Sequence, residues 1–203
     1  MCPALFATAY RLRQLHSLRA LGVICRRRCK FQVQGWLMSL PQTTGAYSLG
    51  PDDGEVLWFN GALGLLRATA DQTDGRFAAF ELRPPKGFAS PLHSHKSEDE
   101  FFLVLSGEVR LQHGDDVVEG VAGSFIYSPR GIGHSFHVDS DDARLLLFFG
   151  PAGVEGFFRE VATPARSFSL PPAGEPVPDR ETLVAIMSRY GQTVLGPPLP
   201  PKD

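Results

Sequence analysis

Four side chains near the middle of this 203-residue chain have the types and spacing of a metal cage. His93 and His95 stand two apart, Glu100 follows five residues later, and His134 closes a second segment. Imidazole nitrogens and a carboxylate oxygen suit first-row divalent transition ions, so the set speaks to chemistry as well as to fold. Three imidazoles and one carboxylate leave one or two positions open on a six-coordinate ion. Open positions separate a reactive metal site from a closed structural one. Glycine and proline punctuate both segments: Gly87 and Gly107 bracket the first, while Gly123, Pro129 and Gly131 lead into His134.

Such a cage needs strands to hold it. Short apolar, β-prone runs at 63–70, 76–82, 101–105, 108–112, 116–121, 124–128, 135–138 and 143–149 are separated by Gly, Pro or Asp clusters. Strands this short and this regularly spaced predict an antiparallel sandwich or barrel. His93 and His95 then share one strand face, because side chains alternate along a strand. Glu100 falls on the opposite face if that strand runs straight, so the polar stretch 96–99 is expected to bulge or turn and re-phase it. Glu98 and Asp99 are rival carboxylates to Glu100. His134 opens its strand with Phe136 and Val138 on the same face, which turns His137 outward. His113 sits beside a Gly-Asp turn and is expected to be solvated.

Beyond residue 150 the periodicity changes. Val154, Phe157, Phe158 and Val161 have helical spacing, as do Leu183, Ile186, Met187 and Tyr190. Asp179 is a fitting N-cap for the second helix and Gly191 a fitting C-terminal stop. Proline-rich pieces at 171–178 and 196–201 are expected to strap the surface as extended chain.

Composition sets the outer bounds. With 43% hydrophobic and 21% charged residues, the chain is ordinary for a globular protein, and no apolar run reaches the roughly 20 residues that span a bilayer. Residues 1–37 carry seven Arg or Lys and no acid, whereas the remaining 166 hold 13 bases against 22 acids. An acidic body is a poor nucleic-acid binder, so no nucleic acid and no membrane is expected among its partners. All three cysteines (Cys2, Cys25, Cys29) fall in the basic leader, so the body carries no disulfide and a cytoplasmic location is expected. Residues 1–37 read as a leader outside the fold, either a transit-like segment or sequence upstream of the true start at Met38. Residues 38–203 read as one domain, with a core at about 55–150 and a helical, Pro-rich extension at 151–203.

At the cage the chain resembles the cupin superfamily. Residues 87–107 match its first motif at every fixed position, and 123–138 match its second except that Val138 stands at the final, non-ligating position where Asn is usual. The resemblance implies an all-β fold, an antiparallel jelly-roll β-barrel followed by short C-terminal helices. It also implies His93, His95, Glu100 and His134 as ligands to one divalent ion, nickel, cobalt, manganese or iron. A narrower resemblance, carried by Glu98–Gly107, Tyr127–His134, Pro151–Phe158 and Leu195–Leu199, is to the single-cupin, quercetin 2,3-dioxygenase-like proteins of bacteria. Characterised members open the central flavonol ring with O₂ and release carbon monoxide. For this chain the narrower resemblance implies a small aromatic substrate with O₂, Glu100 as the group that takes the substrate's proton, and a possible homodimer. Phe102, Tyr127 and Phe136 are the expected pocket walls, and the few central basic residues, Arg110 and Arg144, are not expected to face an apolar substrate. The alternatives are another metal-cupin enzyme, an isomerase or decarboxylase acting on a small acid, or a non-catalytic binding protein.

Overall fold

A computed structural model describes residues 39–202, and the basic leader, with its three cysteines and His16, lies outside that range. Twelve strands and three helices follow in chain order: β1 Glu55–Phe59, β2 Ala62–Ala68, α1 Ala70–Thr73, β3 Ala78–Arg83, β4 Pro91–His95, β5 Asp99–Ser106, β6 Glu108–His113, β7 Asp116–Val121, β8 Phe125–Ser128, β9 His134–Val138, β10 Arg144–Gly150, α2 Glu155–Val161, β11 Thr163–Pro164, α3 Arg180–Arg189 and β12 Gln192–Pro198. They form two antiparallel sheets, β11-β1-β2-β3-β10-β5-β8 and β12-β4-β9-β6-β7. This is the jelly-roll arrangement that the resemblance implied, but among the described residues no ladder joins the two sheets, so the barrel is an open two-sheet sandwich and not a closed one.

Alternation along the strands builds the core. Glu100, Phe102 and Val104 of β5 and Leu145, Leu147 and Phe149 of β10 are buried, while their neighbours are less so. The chain changes sheet at sharp corners, and one of them requires glycine. Gly107, between β5 and β6, has φ +79°, and a Cβ there would lie 2.6 Å from the Ala143 Cα.

Three elements depart from the expected reading. Residues 70–73 make a short helix between two expected strands, where Gln72 Oε1 accepts the Thr69 N–H at 3.1 Å in the manner of a capping box. The strand β1 was not anticipated, and it pairs residue for residue with β2. The Pro-rich end is extended, as expected, but it is also built into a sheet: residues 192–198 form β12, paired with β4 from Gln192 opposite His95 to Pro198 opposite Pro91. Proline is tolerated there because β12 is an edge strand, with its outer side free of ladder bonds.

The helices sit as their sequence dictates. The Asp179 Oδ1 accepts from the Thr182 N–H at 2.8 Å to start α3, and Gly191 with φ +72° ends it. Phe157 and Phe158 of α2 and Met187 of α3 join the core, with Phe158 stacked on Phe80 at 4.1 Å between ring centres. No helix among the described residues is long and apolar enough to cross a membrane.

Candidate metal centre

Sheet pairing brings the four cage residues together. His93 on β4 lies directly opposite His134 on β9, so two imidazoles share one row across the second sheet. His95, two residues along β4, projects from the same face. Glu100 arrives from the other sheet. Of the bulge or turn expected at 96–99, the chain makes the turn: a corner at 96–98, where it leaves β4 in one sheet and enters β5 in the other. Two backbone bonds fix that corner: Lys96 N–H donates to Gly191 O at 2.9 Å, and Gly131 N–H donates to His95 O at 2.8 Å. Asp99, one of the rival carboxylates, faces outward and grips Arg130 in a two-toothed pair at 2.8 and 3.0 Å. This pair ties the 129–133 turn that carries His134 to the strand that carries Glu100.

The donor atoms of His93, His95, Glu100 and His134 all lie within 4.8 Å of one another, and all four residues are buried. Glu100 Oε2 is 2.8 Å from His134 Nε2 and 3.3 Å from His95 Nε2. The longer approach is an ion contact without hydrogen-bond alignment, which leaves His95 Nε2 buried and unpartnered among the described residues. A divalent ion about 2 Å from each donor would satisfy it, so the residues fit the metal their types suggested. The Nδ1 atoms of His93 and His134 face away from the cage onto carbonyls two residues back, Pro91 O at 2.8 Å and Ile132 O at 3.1 Å. That leaves Nε2 as the free donor edge of each ring.

The charges interlock. Burial, reinforced by the neighbouring His134 and His95, pushes His93 down to about 3, so its ring is neutral near pH 7. Burial would lower His95 as well, but the Glu100 and Glu98 carboxylates outweigh it and hold its pKa up at about 9. Burial opposes ionisation of Glu100, yet His134 and His95 bring it far below the usual carboxylate range.

The cage opens into a cavity of about 70 Å³, walled by Phe88, Phe136, Phe149, Phe157, Phe158 and Met187 among others. Of the expected walls, only Phe136 belongs there. Phe102 packs in the core beside the His134 ring, 6.4 Å between centres, and does not line the space. Tyr127 is on the outer face, 48% exposed and stacked on Phe101, because it alternates away from the buried Ser128. Gln192, which opens β12, was missed. It lines the cavity, is buried, and its Nε2 has no partner among the described residues. The signal available was Gly191: a helix stop there makes the next residue the first free to enter a strand.

His113, expected to be solvated, is not. His113 lies opposite His134 on β6, half-buried, with Nε2 2.5 Å from Ser128 Oγ. Burial and the nearby His134 lower its pKa. His137 does point away from the cage, but it is buried beside Asp139 and Arg110. Arg110 is held there by Asp139 and by the Pro200 carbonyl of the C-terminal tail. Arg144 pairs with Glu81 on the other sheet's outer face. No Arg or Lys lines the cavity among the described residues.

Residues 80–149, which span β3 to β10 and contain all four cage residues, match the cupin domain family. The chain is similar to quercetin 2,3-dioxygenase of Bacillus subtilis (strain 168), 27% identical over 135 residues, covering 66% of this chain and 40% of the relative. It is also 36% identical over 55 residues to an uncharacterised protein of Streptomyces coelicolor, covering 27% of this chain and 52% of that one. The chain thus matches about half or less of the length of these curated relatives. Among solved structures it is similar to KdgF from Halomonas sp. (16% identity, TM-score 0.44, 47% of this chain and 84% of that one). It is also similar to an oxalate decarboxylase variant of Bacillus subtilis (21% identity, TM-score 0.45, 54% of this chain and 32% of that one).

Proposed function

We propose that this chain, which belongs to the cupin superfamily, is a metal-dependent dioxygenase that opens an enolic or phenolic aromatic substrate of the flavonol kind with O₂. The observation that carries the reading is a buried three-histidine, one-carboxylate cage opening onto a cavity walled mainly by Phe, Leu, Val and Met, with Asn60, Ser90 and Gln192 as its uncharged polar members. A bound divalent ion would supply Lewis acidity toward the substrate's hydroxyl oxygen and a site for O₂ chemistry. His93, His95 and His134 through Nε2 and Glu100 through its carboxylate would hold that ion, and nickel, cobalt, manganese and iron all suit the donor set.

The protein's own groups do the rest. Glu100 is held ionised by its two imidazole neighbours and takes the proton that a substrate hydroxyl gives up. The aromatic wall accepts a flat apolar body and excludes the water that would compete at the cage. Gln192 offers an amide N–H to a second oxygen of the substrate, which would relieve a buried unpaired donor. Lack of an Arg or Lys in the wall disfavours an acidic or sugar-acid substrate.

One observation favours the alternative of a smaller substrate for another metal-cupin reaction. A space of about 70 Å³ holds roughly two water molecules at about 30 Å³ each, less than a flavonol needs. On the dioxygenase reading, Leu183 and Met187 of α3 therefore move outward as the substrate enters. A homodimer and a cytoplasmic site of action complete the proposal. Metal-loaded protein mixed with quercetin, with and without air, tests it. Loss of the flavonol absorbance only in the presence of O₂ is the expected result. No turnover with any of nickel, cobalt, manganese or iron would overturn it.

A further inference from the structure

The three cage histidines differ in what holds their far edge. His93 and His134 each place Nδ1 on a carbonyl two residues back in their own chain segment. His95 has no such carbonyl, and its Nδ1 is buried without a hydrogen-bond partner among the described residues. One group stands near it: the Glu98 Oε2, at 3.7 Å. That oxygen is also buried and also without a partner, in a residue only 8% exposed. Two complementary polar atoms left unpaired this close together, in a dry setting, cost more apart than joined.

We infer that Glu98 is a positioning residue of the metal cage: it accepts the Nδ1–H of His95, fixing that ring's tautomer and rotation so that Nε2 points at the ion. The proposal rests on the metal-cage reading and gives a role to a carboxylate that the cage does not use. The geometry separates Glu98 from Glu100 cleanly, because they lie against opposite edges of one imidazole, Nδ1 and Nε2 respectively. Glu98 is therefore poorly placed to ligate an ion held on Nε2. It also differs from Asp99, whose carboxylate is spent on the exposed Arg130. The corner at 96–98 explains the need. His95 is the last residue of β4, where the chain turns to the other sheet, and the turn itself supplies the acceptor that the strand does not. A histidine ligand held by a carboxylate at its second nitrogen is a recurrent way of raising ligand basicity and fixing orientation.

The test uses the full chain and Co(II) and Ni(II) ions, with affinity measured by competition against a chelator, the Co(II) visible spectrum recorded, and the His95 Nδ1–H resonance followed by NMR in the Zn(II)-loaded protein. Glu98→Ala is expected to weaken ion binding by about 10- to 100-fold, to shift the Co(II) bands, and to move the His95 Nδ1–H resonance upfield as its hydrogen bond is lost. Glu98→Gln keeps an acceptor oxygen and is expected to recover most of the affinity and a downfield Nδ1–H resonance. Because it is nearly isosteric, it also guards against a loss of fold in the alanine variant. Wild-type affinity and an unchanged His95 Nδ1–H resonance in Glu98→Ala would overturn the proposal while leaving the cage intact. A wild-type chain that binds neither Co(II), Ni(II) nor Zn(II) would remove the cage reading, and the proposal with it.

Discussion

At the scale of single residues, the buried charges divide into two groups with opposite duties. The cage gathers imidazoles around Glu100 at the mouth of an apolar cavity, whereas Glu81 on the far face of the other sheet is gripped by Arg67, Arg83 and Arg144. Burial would raise the Glu81 pKa, but hydrogen bonds from Arg67, Arg144 and Arg83 hold it below the ordinary carboxylate value. A carboxyl whose folded pKa lies below its unfolded one stabilises the fold above the unfolded value, about 4.3, and that contribution is lost as pH falls through the folded value. Urea unfolding of the wild type should therefore show stability declining below about pH 4.5. Glu81→Gln should lose on the order of 3 kcal/mol at pH 7 and show a shallower acid decline. An unchanged acid profile in that variant would contradict the assignment. The three histidine positions were legible in the sequence from their spacing, and the choice of Glu100 over Glu98 and Asp99 came from the resemblance to the cupin motif. Glu98 and Gln192 were not, since their roles depend on which edge of the His95 ring is occupied and on a strand pairing 97 residues away in the chain.

At the scale of elements, β12 joins structure to site. It supplies the outer edge of the sheet that carries His93 and His134, places Gln192 opposite His95, and sends Leu199 N–H to the Ser135 hydroxyl at 3.1 Å. A chain ending at Gly191 should melt at a temperature lower by more than about 5 °C and bind the metal more weakly, measured by thermal scanning with and without the ion. Equal melting temperatures would mean that β12 is a surface strap after all. The strands from β5 to β8 were legible because their alternation and turns are local signals. The strand β12 was hidden by its prolines, which signal extended chain but do not reveal which edge it will pair with. The Thr69–Gln72 capping box was a local signal too, and the Asp-Gly pair that follows it masked it.

At the scale of the whole molecule, the open sandwich of the described residues, 39–202, brings four cage donors to one side of an apolar cavity. Removing residues 1–37 is accordingly expected to leave ion stoichiometry and affinity unchanged in a chelator competition; a clear loss would give the basic leader a part in the site. The fold class was readable from strand spacing, which left sandwich and barrel both open; the choice between them was not readable, because closure depends on how corners such as Gly107 and 96–98 turn, which short-range pattern does not encode. The central claim is that four buried side chains hold one divalent ion. Anomalous X-ray scattering from crystals of the cobalt-loaded protein, recorded across the cobalt edge, tests it most directly. The account predicts a single strong peak per chain bonded to Nε2 of His93, His95 and His134 and to the carboxylate of Glu100. A peak elsewhere, or none, would contradict it.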